Sequence, residues 1–178
     1  DDIFLYRTAN RDGYRNLYLC DTEGNIRRLT ETDADVSYLG NDGRYVYYTS
    51  AEVSPIENHL FRIEIKGLRK GVCKASTGKP QRLTKEPGWH LIKMNSDLTQ
   101  YTDTYSSLTV PRVVNLHEAD GTLIRNLHIA EDPTTEYAYT EISLGKIKSA
   151  DGKYDNYYRL IKPKDFDPSK KYPVIVYV

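Results

Sequence analysis

Cysteine is nearly absent: Cys20 and Cys73 are the only two in 178 residues, and neither belongs to a C-x-x-C pair. That argues against a disulfide framework or a thiolate metal cage, and leaves two free thiols, one partly buried, as the simpler account. An excess of charge of one sign is also missing. The 25 Lys and Arg match 25 Asp and Glu, and both signs are interspersed. No basic field exists to hold a nucleic-acid backbone. No apolar run approaches the ~20 residues that cross a bilayer. Residues 1–30 show no charged segment leading into an apolar core, so no signal peptide is visible. Its absence does not locate the protein, because a chain cut from a longer one would have lost it. No segment sustains an apolar period of 3.6 residues, so little helix is expected.

Tyrosine is abundant instead, with 16 copies against three Phe and one Trp. Tyr suits strands, where the ring packs and the hydroxyl reaches water or a polar partner. The chain also repeats itself. Arg27-Arg28-Leu29-Thr30 recurs as Gln81-Arg82-Leu83-Thr84, 54 residues on. A matching strand precedes each copy, Asn16–Cys20 in one and His59–Ile63 in the other. A strand, polar turn and returning strand follow each, around Asn41–Ser50 and around Asn95–Asp103. A weaker third copy runs from Arg112–Leu116 through Ala119-Asp120-Gly121 to Thr122–Leu127, with Leu127 44 residues after Leu83. A period in the forties to fifties built of four short strands is the signature of propeller blades. Asp12-Gly13, Glu23-Gly24, Asp42-Gly43 and Asp120-Gly121 supply the positive-φ turns such hairpins need.

The expected fold is all-β, with antiparallel four-stranded blades of a partial, open propeller. Residues 1–135 hold two to three blades, fewer than a closed ring of at least four requires. An irregular excursion from Gly67 to Pro80 interrupts them. Residues 136–162 carry two long final strands, Tyr137–Lys148 and Lys153–Lys162, joined at Ala150-Asp151-Gly152. Residues 163–178 form a polar linker and then a continuous apolar run, Val174–Val178. That run reads as a strand covered on both faces, the start of a parallel sheet whose partners are missing. The chain is therefore expected to be a piece of a larger protein that ends in the first strands of an α/β domain.

Several landmarks then occur in order. Tyr47–Pro55 precedes His59-Leu60-Phe61, followed by Glu86-Pro87-Gly88-Trp89-His90 and Asp103–Ser107 with Pro111. This sequence of features resembles the propeller of dipeptidyl peptidase IV, and the linker Pro163–Val174 is similar to that family's approach to its α/β-hydrolase domain. The resemblance implies a parent among the prolyl oligopeptidase-like serine peptidases that removes short peptides from substrate N-termini after proline. A Ser-Asp-His triad in the hydrolase domain would carry acyl transfer. No G-x-S-x-G occurs here, so no catalytic or substrate-binding residue is assigned within the chain, which is expected to be inactive alone. Its part in the parent would be to wall and gate the active-site chamber. The resemblance implies a peptide substrate reached through the parent, room for a homodimeric parent, and a periplasmic or extracellular location. No cofactor, metal, nucleic acid or membrane span is expected. The alternative is a stand-alone β-rich module binding a protein or glycan through tyrosine-rich faces.

Individual residues tempt other readings. Trp89-His90 could face a substrate, but a packing anchor with locally satisfied polar atoms is preferred. His90 with Asp103 and Ser106 would make a triad, yet no elbow presents the serine. His59, His117 and His128 lack metal-ligand spacing and read as solvent-facing strand histidines. Glu31, Asp33, Asp35 and Asp42 lack calcium-loop spacing and read as a solvated loop. Tyr45, Tyr47 and Tyr48 could be a carbohydrate platform, but strand packing explains them more simply.

Overall fold

Alternating residues of Tyr45–Ser50 point to opposite faces, as the two-residue period of a strand demands. In the computed structural model, which describes residues 3–8, 13–67, 75–132, 135–136 and 140–177, both faces of that strand are covered. Val46 and Tyr48 enter one core cluster and Tyr47 enters another. A sheet buried on both faces belongs between two others, and the chain supplies them as consecutive antiparallel meanders.

The first sheet runs β1 (Ile3–Thr8), β2 (Asn16–Asp21), β3 (Ile26–Arg28), in that order. The second comprises β4 (Val36–Asn41), β5 (Tyr45–Ser50) and β6 (His59–Lys66), with the short strands β7 (Ser76–Thr77) and β8 (Gln81–Arg82) both pairing with β6. The third is β9 (Trp89–Met94), β10 (Gln100–Ser106), β11 (Val113–Glu118) and β12 (Leu123–Ile129), each hydrogen-bonded to the next. These three sheets make up one compact unit, residues 1–131. Residues 132–178 form a second unit holding the hairpin β13 (Ile142–Lys148) and β14 (Asp155–Ile161). Among the described residues there is no α-helix, and the sheets do not close into a ring.

The chemistry of the turns is as expected. Gly13, Gly24, Gly43 and Gly121 all have φ between 85° and 96°. At Asp42-Gly43 the Asp42 carboxylate accepts the amides of Arg44 at 2.8 Å and Tyr45 at 2.6 Å, holding the hairpin closed. Asp42 is thus a turn residue. In the second unit Gly145 faces Tyr158 across the hairpin, and a Cβ there would meet the phenol ring at 2.4 Å.

Val174–Tyr177 is not paired as a strand among the described residues and its side chains are 77–98% exposed, while the burial expected of it depends on partner strands that these residues do not supply. An apolar run becomes a buried strand only when neighbours take up its backbone groups, and none do so among the described residues. Most of the excursion after Gly67 (68–74, with Cys73) lies outside the described residues, but its later part is not irregular: Ser76–Thr77 pairs with β6.

Core tyrosines divide sharply by their hydroxyls. Tyr47 donates to Asp42 at 3.0 Å, and burial with that carboxylate pushes its pKa up to about 12. Tyr48, 0% exposed and stacked on Phe61 at 5.3 Å, has no hydrogen-bond partner for its hydroxyl among the described residues. A lost hydrogen bond costs about 1 kcal/mol, whereas removing an orphaned buried hydroxyl relieves its desolvation penalty. Tyr47→Phe is therefore expected to destabilise by about 1 kcal/mol and Tyr48→Phe to stabilise by up to about 1 kcal/mol. Urea unfolding of the two variants side by side checks the opposite signs.

Candidate functional site

The R-L-T repeat performs one task in two sheets. Leu29 donates its amide to the Leu17 carbonyl at 2.8 Å, and Leu83 donates to Leu60, also at 2.8 Å. The following threonine turns back under the strand: Thr30 Oγ1 accepts the Leu17 amide at 2.9 Å, and Thr84 Oγ1 accepts the Leu60 amide at 3.0 Å. Each hydroxyl then meets the side chain at the start of that strand. Thr30 donates to Asn16 Oδ1 at 2.8 Å, while Thr84 lies 3.0 Å from His59 Nδ1. Asn16 and His59 therefore occupy equivalent places, and both are 0% exposed.

The residue before each of them fastens the next sheet. Val36 donates to the Arg15 carbonyl at 2.9 Å, and His90 donates to the Asn58 carbonyl at 3.1 Å. Asn58 adds its own amide to Gly88 O at 3.1 Å and its side-chain amide to His90 O at 2.6 Å. Arg15 is held by a charged pair with Asp35 at 2.6 Å instead. The clasp between the first and second sheets is thus an exposed ion pair, and the clasp between the second and third is amides over histidines.

Four rings line that second seam. Phe61 meets His59 edge-on at 6.5 Å, His59 lies 5.1 Å from His90, and His90 stacks on Tyr105 at 4.7 Å. His90 is buried, with Nδ1 at 2.7 Å from Asp103 Oδ2 and Nε2 at 2.9 Å from the Glu86 carbonyl. Neither oxygen can donate, so both nitrogens must carry protons and the ring is an imidazolium. Burial works against that charge, but the bonds to Asp103 and Glu86 outweigh it, and His90 titrates above the ordinary histidine range. His59 is the opposite case. Its Nε2 donates to Glu57 at 2.8 Å, and its Nδ1 can accept the Thr84 hydroxyl proton, which fits a neutral ring. Burial is the main influence pulling its pKa down, opposed by Glu57 and reinforced by His90 and Arg82.

This arrangement holds sheets together; it does not activate a nucleophile. His90 and Asp103 do come together, as a triad would require. Yet the second imidazole nitrogen is occupied by Glu86, leaving none for Ser106, which is exposed at the end of β10. Trp89 is 52% exposed, so the packing anchor of the pair is His90 alone. The expectation of solvent-facing histidines is corrected for His59, which strand β6 turns into the seam; His117 is half-buried against Tyr101 at 4.9 Å, and His128 is exposed. Glu31, Asp33 and Asp35 are exposed, and no group of three or more His, Cys, Asp or Glu side chains could hold a metal among the described residues. Tyr47 and Tyr48 are buried, and Tyr45 lies under the Arg62 guanidinium at 4.3 Å. Cys20 is a buried free thiol. A cleft of about 650 Å³ between β4 and β9 is floored by Leu39, Ile92 and Met94, with Lys93 its one charged lining residue. Sequence reasoning missed Thr84 and Glu57; the matched positions of Asn16 and His59 ahead of each R-L-T were the available signal.

The three consecutive antiparallel sheets have known counterparts. A family model described as the dipeptidyl peptidase IV N-terminal region matches residues 1–112. The chain belongs to that family. It is 30% identical to Porphyromonas gingivalis dipeptidyl peptidase 4 and superposes on its crystal structure with a TM-score of 0.79, covering 96% of this chain and 24% of that one. A putative dipeptidyl aminopeptidase IV from Bacteroides ovatus is 28% identical with a TM-score of 0.77, over 97% of this chain and 26% of that one. Mouse dipeptidyl peptidase 8 is 24% identical across the whole chain, which covers 23% of it. The chain spans about a quarter of the length of these relatives. The matched dipeptidyl peptidase IV region takes in both R-L-T copies and both seams, and ends just before β11.

Proposed function

We propose that these sheets are blades walling the active-site chamber of a serine exopeptidase that releases dipeptides after proline, the reaction itself being carried by residues outside this chain. Membership in the dipeptidyl peptidase IV N-terminal family supports this reading most directly. The chemistry within the chain agrees with it: the one buried His–Asp pair among the described residues has no nitrogen left to serve a serine. A rigid wall of stacked sheets would admit short or unfolded peptides and exclude folded chains by size. An exported location, periplasmic or extracellular, belongs to the same proposal.

The test uses the whole protein. Dipeptide release from an X-Pro chromogenic amide is expected at least ~100-fold faster than from the matching X-Gly amide, since a pocket shaped for one ring rejects poor fits by a few kcal/mol. A serine-directed phosphonate should abolish it. A folded whole protein with no X-Pro activity would overturn the peptidase reading. One observation favours the second reading, a binding module: Trp89 and Leu91, on one face of β9, are 52% and 53% exposed. An inactive whole protein that loses a glycan or protein ligand on Trp89→Ala would support it.

A further inference from the structure

The two seams differ in one respect that matters chemically. Between the first and second sheets the position under the R-L-T threonine is Asn16, which never titrates. Between the second and third it is His59, 5.1 Å from the imidazolium of His90 on the facing sheet. We propose that the seam between the second and third sheets is an acid-sensitive latch, closed while His59 is neutral and loosened when it takes up a proton.

Two consequences of protonation act together. The first is like-charge repulsion across the sheet boundary, in a place with little water to screen it. The charged groups facing the pair do not cancel it. Asp103 from β10 is already engaged by His90, and Arg82 from β8 adds further positive potential on both rings. Glu57 is the only carboxylate bonded to His59 among the described residues, and its side chain is 22% exposed, so water shares its charge. Tyr105 and Phe61 contribute rings alone. The second consequence is local. A proton on Nδ1 of His59 points at Thr84 Oγ1, which already accepts the Leu60 amide, and the threonine hydroxyl loses the nitrogen it donated to. Both consequences fall on the residues that clasp the third sheet, Asn58 and His90.

The direction follows from linkage. A histidine held below its unfolded pKa stabilises the fold above about pH 6.5, and that stability is lost as pH falls from there through its folded pKa. Acid therefore opens the latch, whatever the sheets enclose.

Amide hydrogen exchange on the full chain tests this with a built-in control. The His90 and Val36 amides make equivalent bonds, one across each seam. Between pH 7.5 and pH 5, after correction for intrinsic exchange, protection of His90 is expected to fall roughly tenfold while Val36 holds; two charges at this separation supply repulsion of that order at an effective dielectric between water and protein. His59→Asn copies the residue of the first seam and should abolish the acid-induced fall in His90 protection. Equal losses at His90 and Val36, no loss at His90, or an undiminished loss in His59→Asn would each overturn the proposal. Should His59→Asn fail to fold, the paired amides of the unaltered chain decide alone.

Discussion

Asp103→Ala is expected to destabilise the first unit by about 3 kcal/mol at pH 6, the range for removing one partner of a buried, hydrogen-bonded ion pair. Asp103 is 3% exposed and its Oδ2 lies 2.7 Å from the buried ring of His90, so no water can replace it. The loss should depend on pH. His90 has a folded pKa raised above its unfolded value, so the pair's contribution is fully present below about pH 6.5 and disappears as pH climbs through the folded value. The gap between the unaltered chain and Asp103→Ala must therefore narrow in alkali. Asp103→Asn, which keeps an acceptor but not the charge, should fall between the two. Urea unfolding at pH 6, 7.5 and 9 measures all three. A gap that stays constant across that range would mean that His90 is not charged in the folded state.

The blades were legible because their signals are local. Arg28-Leu29-Thr30 and Arg82-Leu83-Thr84 mark the ends of β3 and β8, and the Asp-Gly and Glu-Gly turns fall where φ is positive. The returning strand within Asn41–Ser50 was expected, and Tyr47 and Tyr48, neighbours on it, divide between two clusters because successive strand residues face opposite ways. The seam was not legible, because its partners are distant in sequence. His59 depends on Thr84, 25 residues away, and His90 on Asp103, 13 away. A histidine opening a strand after Asn58 reads as exposed unless the next sheet is known to cover it. Val174–Tyr177 is the reverse case. Its apolar run promises burial, but burial is supplied by neighbours and not by the run itself.

Thr84→Val and Thr30→Val should each cost about 2–3 kcal/mol, and the near equality of the two losses is the sharper expectation. Valine fills the same volume, so packing around Leu83 and Leu29 is kept and only the hydroxyl is removed. In the second sheet that leaves the Leu60 amide unbonded at a residue 0% exposed and takes the partner from His59 Nδ1. In the first it strands the Leu17 amide, also at 0% exposure, and removes the donor to Asn16. A buried amide left without an acceptor is charged its full desolvation penalty, which is why the loss exceeds that of an ordinary hydrogen bond. Serine at either position restores the oxygen and should recover most of the stability. The third sheet offers the internal contrast: β12 is followed by Ala130, whose amide donates to Arg112 at 2.9 Å with no hydroxyl beside it, and its strand is exposed along its length. If Thr84→Val proved neutral in chemical denaturation while Thr30→Val did not, the repeat would be a likeness of letters without a shared structural task. Equal losses would make the motif the fastening by which each sheet's inner strand is tied to its outer one.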